Sequence, residues 1–521
     1  MIRNYFMLTA AGLLLCACKP TPRTAAHKQQ EQTPAATQPA TPPTATPTET
    51  PQQPEPPKQP EQPRVSPAES IVAVNAVRQE FNPTQPWEKT SAEETSALGV
   101  YLGNGRVLST GNVARGTTYV ELALPDDSRT ATAKVLRYDE DRNLALLGLE
   151  HEEDMDFFAT RTPLLLGDAM ALGDKAEVAG LIRGLTPVSI PLEAVGVEGD
   201  TLPRLTLRLT APLPDGHAQG APIVRNGRLV GISEGYDDME MAAVNAEQLE
   251  RFLAQREDDG VPVLGVQFSP MDDPAFCAWL KADRGLYIGK VLHGSAAEQA
   301  GLQQGDVVQA VEGLPVDNQG RCHHPLYGLM QAATVIRTLK PLGESVTFTV
   351  CRNGEPQDIA VQMNRDVRKN ALFATAKPGE KPRYAIWGGL VFQPLTETYL
   401  NAIRRQNGGN LPLEFQRLYT EEDTLRANGY SEPVGLTYVI PTPAAMGYES
   451  VRFCMVKAVN GQQVHNFTEF LQALDAPTED GLVRFTLNKA PYDIYLDRQA
   501  AEAANELIRT RSIPKLREAG E

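Results

Sequence analysis

The chain has 521 residues, a length that predicts three to four domains of about 100–200 residues each. Its 65 Asp and Glu residues outnumber its 49 Lys and Arg residues, and the formal net charge is −16. Nucleic acids and anionic membrane surfaces attract clustered Lys and Arg, so this charge argues against both as binding partners.

The first 18 residues have the pattern of a targeting segment. Arg3 gives a positive start, an apolar stretch runs from Phe6 to Leu15, and the sequence Leu-Cys-Ala-Cys ends at Cys18. It resembles a bacterial lipobox, which implies cleavage before Cys18 and lipidation of its thiol. The stretch is shorter than the roughly 20 residues that a membrane-spanning helix needs. We therefore predict a lipid anchor in the bacterial cell envelope, and Lys19 favours the periplasmic face of the outer membrane. A plain signal peptide is the alternative.

Residues 19–68 consist mainly of Pro, Thr, Gln, Ala and Glu. Such a segment cannot bury enough apolar surface to offset the entropy lost on ordering. We predict a disordered tether that reaches at most roughly 150 Å, at about 3.1 Å per residue.

Residues 69–256 read as many short apolar strands separated by Gly, Asn and Asp turns. The pair Asn226-Gly227 is a strong hairpin signal, and Asn245 to Gln255 has the pattern of a closing helix. The fold class predicted for this block is mainly β, with two six-stranded barrels.

Three segments of this block resemble the HtrA/Deg family of trypsin-like serine proteases. The family reads T-N-H-V at the catalytic base, D-L-A-L-L at the orienting acid and G-N-S-G-G-P-L-V at the nucleophile. The corresponding segments here are 107–113, 139–147 and 217–224, and their apolar frame is retained. At the three positions of the catalytic triad, however, this chain has Asn112, Asn143 and Gln219.

The substituted side chains cannot perform the chemistry of the triad. An Asn amide has no basicity near neutral pH, so Asn112 cannot accept the proton of a nucleophile, and Gln219 offers no nucleophile. Loss of the triad costs on the order of 10⁶ in turnover in a serine protease, and Asn in place of the orienting Asp costs about 10⁴. His217 also replaces the glycine of the oxyanion loop, where backbone N–H geometry is needed. We predict a protease fold without peptidase activity.

Alternatives remain open at this point. A shifted register would place Ala218 at the nucleophile position, but residues 211–224 contain no Ser, Thr or Cys. No histidine lies between Glu69 and Glu150, so a rewired catalyst would have to use His217 or His151. A functional endopeptidase with an unusual active site, or ordinary loops in a different fold, are the remaining alternatives.

Residues 258–366 resemble a PDZ domain. The run from Gly294 to Val308 matches the helix-turn-strand signature of that family, with Ser295 as the helix cap and turns at Gly301 and Gly305. PDZ domains bind extended C-termini by strand addition, and backbone N–H groups hold the carboxylate. The resemblance implies a peptide-binding site at Leu264, Gly265 and Val266.

Residues 370–500 resemble the atypical second PDZ domain of plant-type Deg proteases. The run Gly388 to Glu397 parallels the ligand loop of that group, which implies a second peptide site at Gly389, Leu390 and Val391. The alternative is a groove that is occluded or serves domain packing. We expect the polar stretch 401–432 to be helical or an insertion, and 501–521 to be a C-terminal tail.

Four cysteines and several histidines need an assignment. A bridge between Cys277 and Cys322 is one option, because an envelope compartment permits disulfides, and four thiols, including Cys351 and Cys454, are the other. Three histidines could join Cys322 in a zinc site, but their spacing is not that of a zinc finger; they are His293, His323 and His324. We predict no metal and no cofactor.

The resemblances together imply an envelope lipoprotein that binds protein C-termini or unfolded polypeptides as a chaperone, a scaffold or a regulator of an active Deg protease. A non-catalytic subunit of a Deg oligomer is an alternative, since the family commonly forms trimers through the N-terminal edge of the protease domain. Residues Ile71 to Trp87 would serve there, including Phe81.

Overall fold

A computed structural model describes residues 67–125, 129–182, 186–199, 201–213, 219–254, 260–365, 367, 371–489, 493–511 and 513–520. The predicted lipobox with Cys18 and nearly all of the predicted tether lie outside the described residues. Within those ranges, every helix is too short or too polar to cross a bilayer.

Six strands close the first barrel in the order β1-β4-β5-β8-β7-β6, and a short β2–β3 hairpin stands beside them. Strand β8 is buried along its whole length, so it is apolar without alternation, whereas β1 alternates in its second half. The strands are β1 Ile71–Arg78, β2 Phe81–Asn82, β3 Gln85–Lys89, β4 Glu93–Gly103, β5 Arg106–Thr110, β6 Thr117–Ala123, β7 Thr130–Asp139 and β8 Leu144–Leu149.

The second barrel closes in the order β10-β11-β14-β13-β12-β9, so the prediction of two six-stranded barrels is confirmed. Asn226 and Gly227 have φ of 54° and 73°, which makes the predicted tight turn between β12 and β13. The elements are β9 Lys175–Ile182, β10 Thr186–Glu198, β11 Arg204–Leu209, β12 Pro222–Arg225, β13 Arg228–Asp237, β14 Glu240–Asn245 and the closing helix α1 Ala246–Ala254.

The next module is a sheet in the order β15-β16-β17-β21-β22, flanked by helices. Ser295 caps α3 by accepting a hydrogen bond from the N–H of Glu298 at 3.1 Å, as predicted. The elements are β15 Val266–Ser269, α2 Pro274–Leu280, β16 Leu286–Val291, α3 Ala296–Gln299, β17 Val307–Val311, β18 Leu314–Pro315, β19 Arg321–His324, β20 Gly328–Gln331, α4 Ala332–Leu339, β21 Ser345–Arg352 and β22 Glu355–Gln362.

The last module is a sheet in the order β29-β28-β26-β25-β24-β23-β30. The polar stretch 401–432 was expected to be helical or an insertion, and it contains three helical segments. The elements are β23 Tyr384–Trp387, β24 Leu390–Pro394, α5 Glu397–Gln406, α6 Leu413–Thr420, α7 Glu422–Ala427, β25 Val434–Val439, β26 Cys454–Val459, β27 Gln462–Gln463, α8 Phe467–Asp475, β28 Leu482–Leu487, β29 Asp493–Asp497, α9 Arg498–Arg511 and β30 Arg517–Glu518.

The segment 501–521, expected to be a tail, is instead part of this last module. Most of α9 lies within it, and Ala501 and Ala504 on that helix are buried. Strand β30 pairs with β23, and Tyr384 donates a hydrogen bond to the carbonyl of Lys515 at 2.8 Å. The sequence suggested a tail because polar and charged residues outnumber apolar ones there, and the apolar residues that pack are few and widely spaced.

Tyr327 lies between β19 and β20, and it joins the module that contains β15 to β22 to the second barrel. This side chain, 2% exposed, packs in the apolar core of the barrel. Its hydroxyl accepts a hydrogen bond from Asn245 at 3.0 Å and donates one to Glu247. Burial raises the pKa of the Glu247 carboxyl above its ordinary value, although the hydrogen bond from Tyr327 acts in the opposite direction.

Glu247 makes the stability of this junction depend on pH. A raised pKa in the folded state stabilises the fold below the unfolded-state pKa, and this contribution is lost as pH rises through the folded-state pKa. We expect Glu247→Gln, which cannot titrate, to gain unfolding free energy relative to the unsubstituted protein as pH rises from about 4 to 8. Urea unfolding across that range measures the difference, with Glu250→Gln on the exposed face of α1 as the control. Parallel pH profiles for the Glu247→Gln variant and the unsubstituted protein would contradict this assignment.

Candidate functional site: triad positions and peptide grooves

Asn112 and Gln219, two of the three positions predicted to correspond to the catalytic triad, meet between the barrels. Asn112 lies in the short 3₁₀ turn Gly111–Val113 that follows β5, and Gln219 lies just before β12. The amide nitrogen of Asn112 donates a hydrogen bond to Oε1 of Gln219 at 3.3 Å, and both side chains are half-buried. Two neutral amides are therefore hydrogen-bonded to each other at the positions predicted for the base and the nucleophile.

Asn143 approaches the same turn through its backbone. Its carbonyl accepts a hydrogen bond from the N–H of Gly111 at 2.8 Å, and its φ of 52° is a conformation that Asn adopts more readily than most residues. Among the described residues, no hydrogen bond joins the side chains of Asn143 and Asn112. Asn143 therefore contacts the turn that carries Asn112 through its backbone, without the side-chain hydrogen bond that would orient a catalytic base.

A backbone contact between the barrels fixes this arrangement. The N–H of Leu98 on β4 donates to the carbonyl of Gln219 at 2.8 Å, and the N–H of Gly220 donates to the carbonyl of Ser233 at 2.9 Å. A Cβ on Gly220 would lie 1.8 Å from the carbonyl oxygen of Leu98, and the φ of Gly220 is +77°. Only glycine fits this crossing without displacing β4.

The hydroxyls around the site have structural roles. Ser109 is fully buried and donates to the carbonyl of Leu98 at 2.7 Å. The hydroxyl of Ser233, also fully buried, accepts from the N–H of Ala221 at 3.2 Å. Among the described residues, neither hydroxyl has a hydrogen bond to a histidine or a carboxylate that would activate it as a catalytic serine.

Of the two histidines of the rewired alternative, only His151 belongs to the described residues, and it does not contact the site. His217 and Ala218 lie outside the described residues. His151 is exposed at the start of the turn Glu152–Phe158 that follows β8. No hydrogen bond in the described part of the chain connects it to Asn112 or Gln219.

An ion pair beside Asn143 was not found from the sequence. Arg142 and Asp139 are both buried and their side chains meet at 2.5 Å, while the N–H of Arg142 donates to Asp139 at 2.9 Å. Two opposite charges three residues apart were visible, but such a loop is usually solvated. The pair forms because both residues are buried, and a buried charge needs a partner of opposite charge.

The first predicted peptide site has the geometry of an open sheet edge. In the described residues β15 pairs with β16 alone, so its other edge, beside Val266, is free. The carbonyl of Leu264 accepts from the N–H of Ala297 at 3.0 Å, and that of Gly265 accepts from the N–H of Leu292 at 2.8 Å. The N–H groups of Leu264 and Gly265 have no acceptor within the described part of the chain. They are free to hold a carboxylate.

The second predicted peptide site is covered. Leu390 and Val391 lie on β24, which pairs with β23 on one side and with β25 on the other, and both side chains are fully buried. Gly389 belongs to the β23–β24 turn, and its carbonyl accepts from the N–H of Ile440 at 2.7 Å. The sequence of the ligand loop was matched, but here it forms a hairpin, so the alternative of an occluded groove describes it better.

The four cysteines are free thiols, three of them buried, so the structure does not contain the Cys277–Cys322 bridge. Burial raises the pKa of the Cys322 and Cys454 thiols to about 11, which leaves them protonated at neutral pH. No group of three metal-binding side chains occurs among the described residues, and the zinc alternative gains no support.

Comparisons with known proteins agree with this architecture. Residues 262–363 and 375–518 each match a PDZ domain family. Putative protease Do-like 3, mitochondrial, of Arabidopsis thaliana is 23% identical over 465 residues, which cover 85% of this chain and 78% of that relative. The periplasmic pH-dependent serine endoprotease DegQ of Escherichia coli K12 is 25% identical over 310 residues, 57% of this chain and 64% of DegQ.

This chain is an HtrA/Deg homologue. The solved structure of the HtrA-type protease AlgW with a decapeptide covers 58% of the homologue and 96% of the AlgW chain, at 17% identity and a TM-score of 0.42. In the homologue, two trypsin-like barrels are followed by two PDZ domains, and this is the fold class predicted from the sequence.

The contact between Gly220 and Leu98 can be tested with a matched pair of glycines. Gly173→Ala introduces only the strain of a positive φ, 86°, because nothing lies within 4 Å of the new Cβ. It should cost about 1 kcal/mol in unfolding free energy. Gly220→Ala adds the collision with the Leu98 carbonyl, so we expect about 3 kcal/mol or more. Urea unfolding followed by tryptophan fluorescence measures both variants, and equal losses would refute the contact.

Proposed function

We propose that this homologue is a non-catalytic binding protein of the cell envelope that captures protein C-termini or unfolded segments through its first PDZ domain. The observation that carries the proposal is the pair of N–H groups at Leu264 and Gly265, which have no acceptor among the described residues and lie beside the open edge of β15. A peptide that adds to this edge presents its terminal carboxylate to those donors.

The apolar floor of the groove supports a preference for apolar C-terminal residues. Leu264, 6% exposed, shares a core with Val335 and Ile336 of α4, and the half-buried Val266 packs against the same core. When a peptide binds with its carboxylate at these N–H groups, the side chain of its last residue contacts aliphatic groups of the groove. The peptide contact is small, so we expect micromolar affinity, about −8 kcal/mol.

The absence of catalysis is proposed from the chemistry of the triad positions. Two amides, Asn112 and Gln219, are hydrogen-bonded where a base and a nucleophile would be, and neither can transfer the required proton. Ser109 and Ser233, the buried hydroxyls nearby, are committed to backbone groups. A chaperone, a scaffold or a regulator of an active Deg protease needs only the binding surface. A non-catalytic subunit of a Deg oligomer, including a homo-trimer, is a role that the same surface permits.

We expect no hydrolysis of denatured casein above buffer by the chain from residue 69 onward, because no side chain at the site can act as an activated nucleophile. A fluorophosphonate probe, read by intact-protein mass spectrometry, should leave every serine unlabelled. Trypsin treated identically is the positive control. Stoichiometric labelling of any serine would refute the non-catalytic proposal.

Envelope placement and lipid anchoring complete the proposal. The Escherichia coli relatives DegQ and DegP are both named periplasmic. Cys18 and the lipobox motif support attachment by acyl chains, with residues 19–68 as the spacer.

Replacement of Cys18 by Ala should move the protein from the membrane pellet to the soluble fraction after cell breakage. The thiol is the site of lipid attachment, and the spacer has few apolar residues to hold a bilayer. Cys16→Ala, two residues earlier, is the matched control and should remain in the pellet. Retention of the Cys18→Ala protein in the pellet would show that lipidation is not the anchor.

Peptide binding can be tested with one apolar C-terminal peptide in free-acid and amidated forms, titrated by calorimetry. We expect the free acid to bind at least about tenfold more tightly, because only it offers an anion to the two N–H groups. Gly265→Ala should weaken binding, since its Cβ would lie 2.2 Å from Cβ of Ser295. Gly301→Ala, also at positive φ but with nothing within 4 Å, is the control. Equal affinity for both peptide forms would exclude carboxylate recognition.

A further inference from the structure

A cationic cavity lies at the junction of the barrels and the first PDZ domain. It measures about 170 Å³ and is lined by three cations from three separate elements. Arg142 comes from the loop between β7 and β8, Arg251 from α1, and Lys340 from the residue that follows α4. Pro262 and Leu342 contribute apolar walls, and none of the described residues that line the cavity is acidic.

The three cations differ in how they are balanced. Arg142 is held by Asp139 at 2.5 Å, and Lys340 lies 3.6 Å from Glu312. Arg251 is half-buried, and across the described ranges no ion pair within 4 Å and no hydrogen bond involves its side chain. The cavity therefore contains a guanidinium whose five N–H donors have no acceptor among the residues that the structure describes.

The surroundings of Arg251 disfavour its charge. Burial and then the positive charge of Arg142 lower its pKa, while Glu247, Tyr327 and Glu250 act in the opposite direction with smaller effect. A guanidinium nevertheless stays protonated in proteins. An arrangement that keeps two arginines close together beside apolar walls is unfavourable unless an anion lies between them.

We propose that this cavity binds a small oxyanion of the phosphate class. A tetrahedral oxyanion offers acceptors in several directions at once, which suits cations that converge from three elements, whereas a carboxylate offers two oxygens in one plane. The guanidinium fork matches phosphate oxygens in a bidentate manner. The apolar walls lower the local dielectric and strengthen each of these contacts.

The place of the cavity gives its occupant a mechanical role. Arg142 precedes Asn143 in the loop of the third triad position, and Lys340 follows α4, the helix beside the peptide groove. A bound oxyanion therefore links the protease-like body to the first PDZ domain.

Calorimetric titration of the chain from residue 69 onward with inorganic phosphate, at constant ionic strength, tests the proposal. We expect saturable binding to one site and a loss of affinity of about tenfold or more in Arg251→Gln. Lys340→Gln should weaken binding as well, because it removes the contact from the PDZ side. Arg208→Gln removes an exposed arginine that is paired with Glu240 and should leave the affinity unchanged.

A loss of phosphate affinity in Arg251→Gln can be distinguished from a folding defect of this variant. Arg251→Gln removes a repulsion with Arg142, so without phosphate this variant should unfold at no lower temperature than the unsubstituted protein. Glycerol phosphate that binds more tightly than inorganic phosphate would identify a phosphate monoester as the ligand, and the reverse order would identify the free ion. No saturable binding, equal affinity in Arg251→Gln, or equally tight binding of acetate would each overturn the proposal.

Discussion

The crossing of Leu98 and Gly220 is the constraint on which the centre of this molecule depends. One hydrogen bond and one close backbone approach bring β4 of the first barrel against the loop before β12 of the second. That crossing places Gln219 within reach of Asn112. The approach of these two segments is therefore set by backbone contacts, and it does not depend on which side chains occupy positions 112 and 219. In general, a fold and the chemistry of the site that it carries are separable.

A second contact, at Tyr327, fixes the junction between the second barrel and the first PDZ domain. Tyr327 inserts an aromatic ring into the core of the second barrel, and its hydroxyl is hydrogen-bonded to Asn245 and to Oε1 of Glu247. A buried polar contact of this kind specifies one orientation, because a misplaced module would leave those groups unpaired. The proposed anion cavity at Arg251 lies on the same helix as Glu247, so the orientation of the domain and the charge balance of the cavity share one element.

Local signals in the sequence were reliable, and signals that depend on distant partners were not. The Asn226-Gly227 turn, the Ser295 cap and the two barrels followed from turn chemistry and alternation, which act over a few residues. The motif around Gly389 was recognised, but whether it is an open loop or a hairpin depends on the pairing of β24 with both neighbours. The sequence contains no signal that Arg142 is buried, because burial of this residue depends on its three-dimensional surroundings.

Strand β30 has a consequence for folding of the chain. Its partner β23 lies early in the second PDZ domain, and Tyr384 must wait for Lys515, 131 residues later, before its hydroxyl is satisfied. Contacts between residues so distant form slowly, since a long loop has to close first. Until α9 and β30 have docked, β23 presents an unpaired edge, which is a site for misassembly between chains. Conditions that delay the docking of this last part of the chain are therefore expected to lower the yield of correctly folded protein.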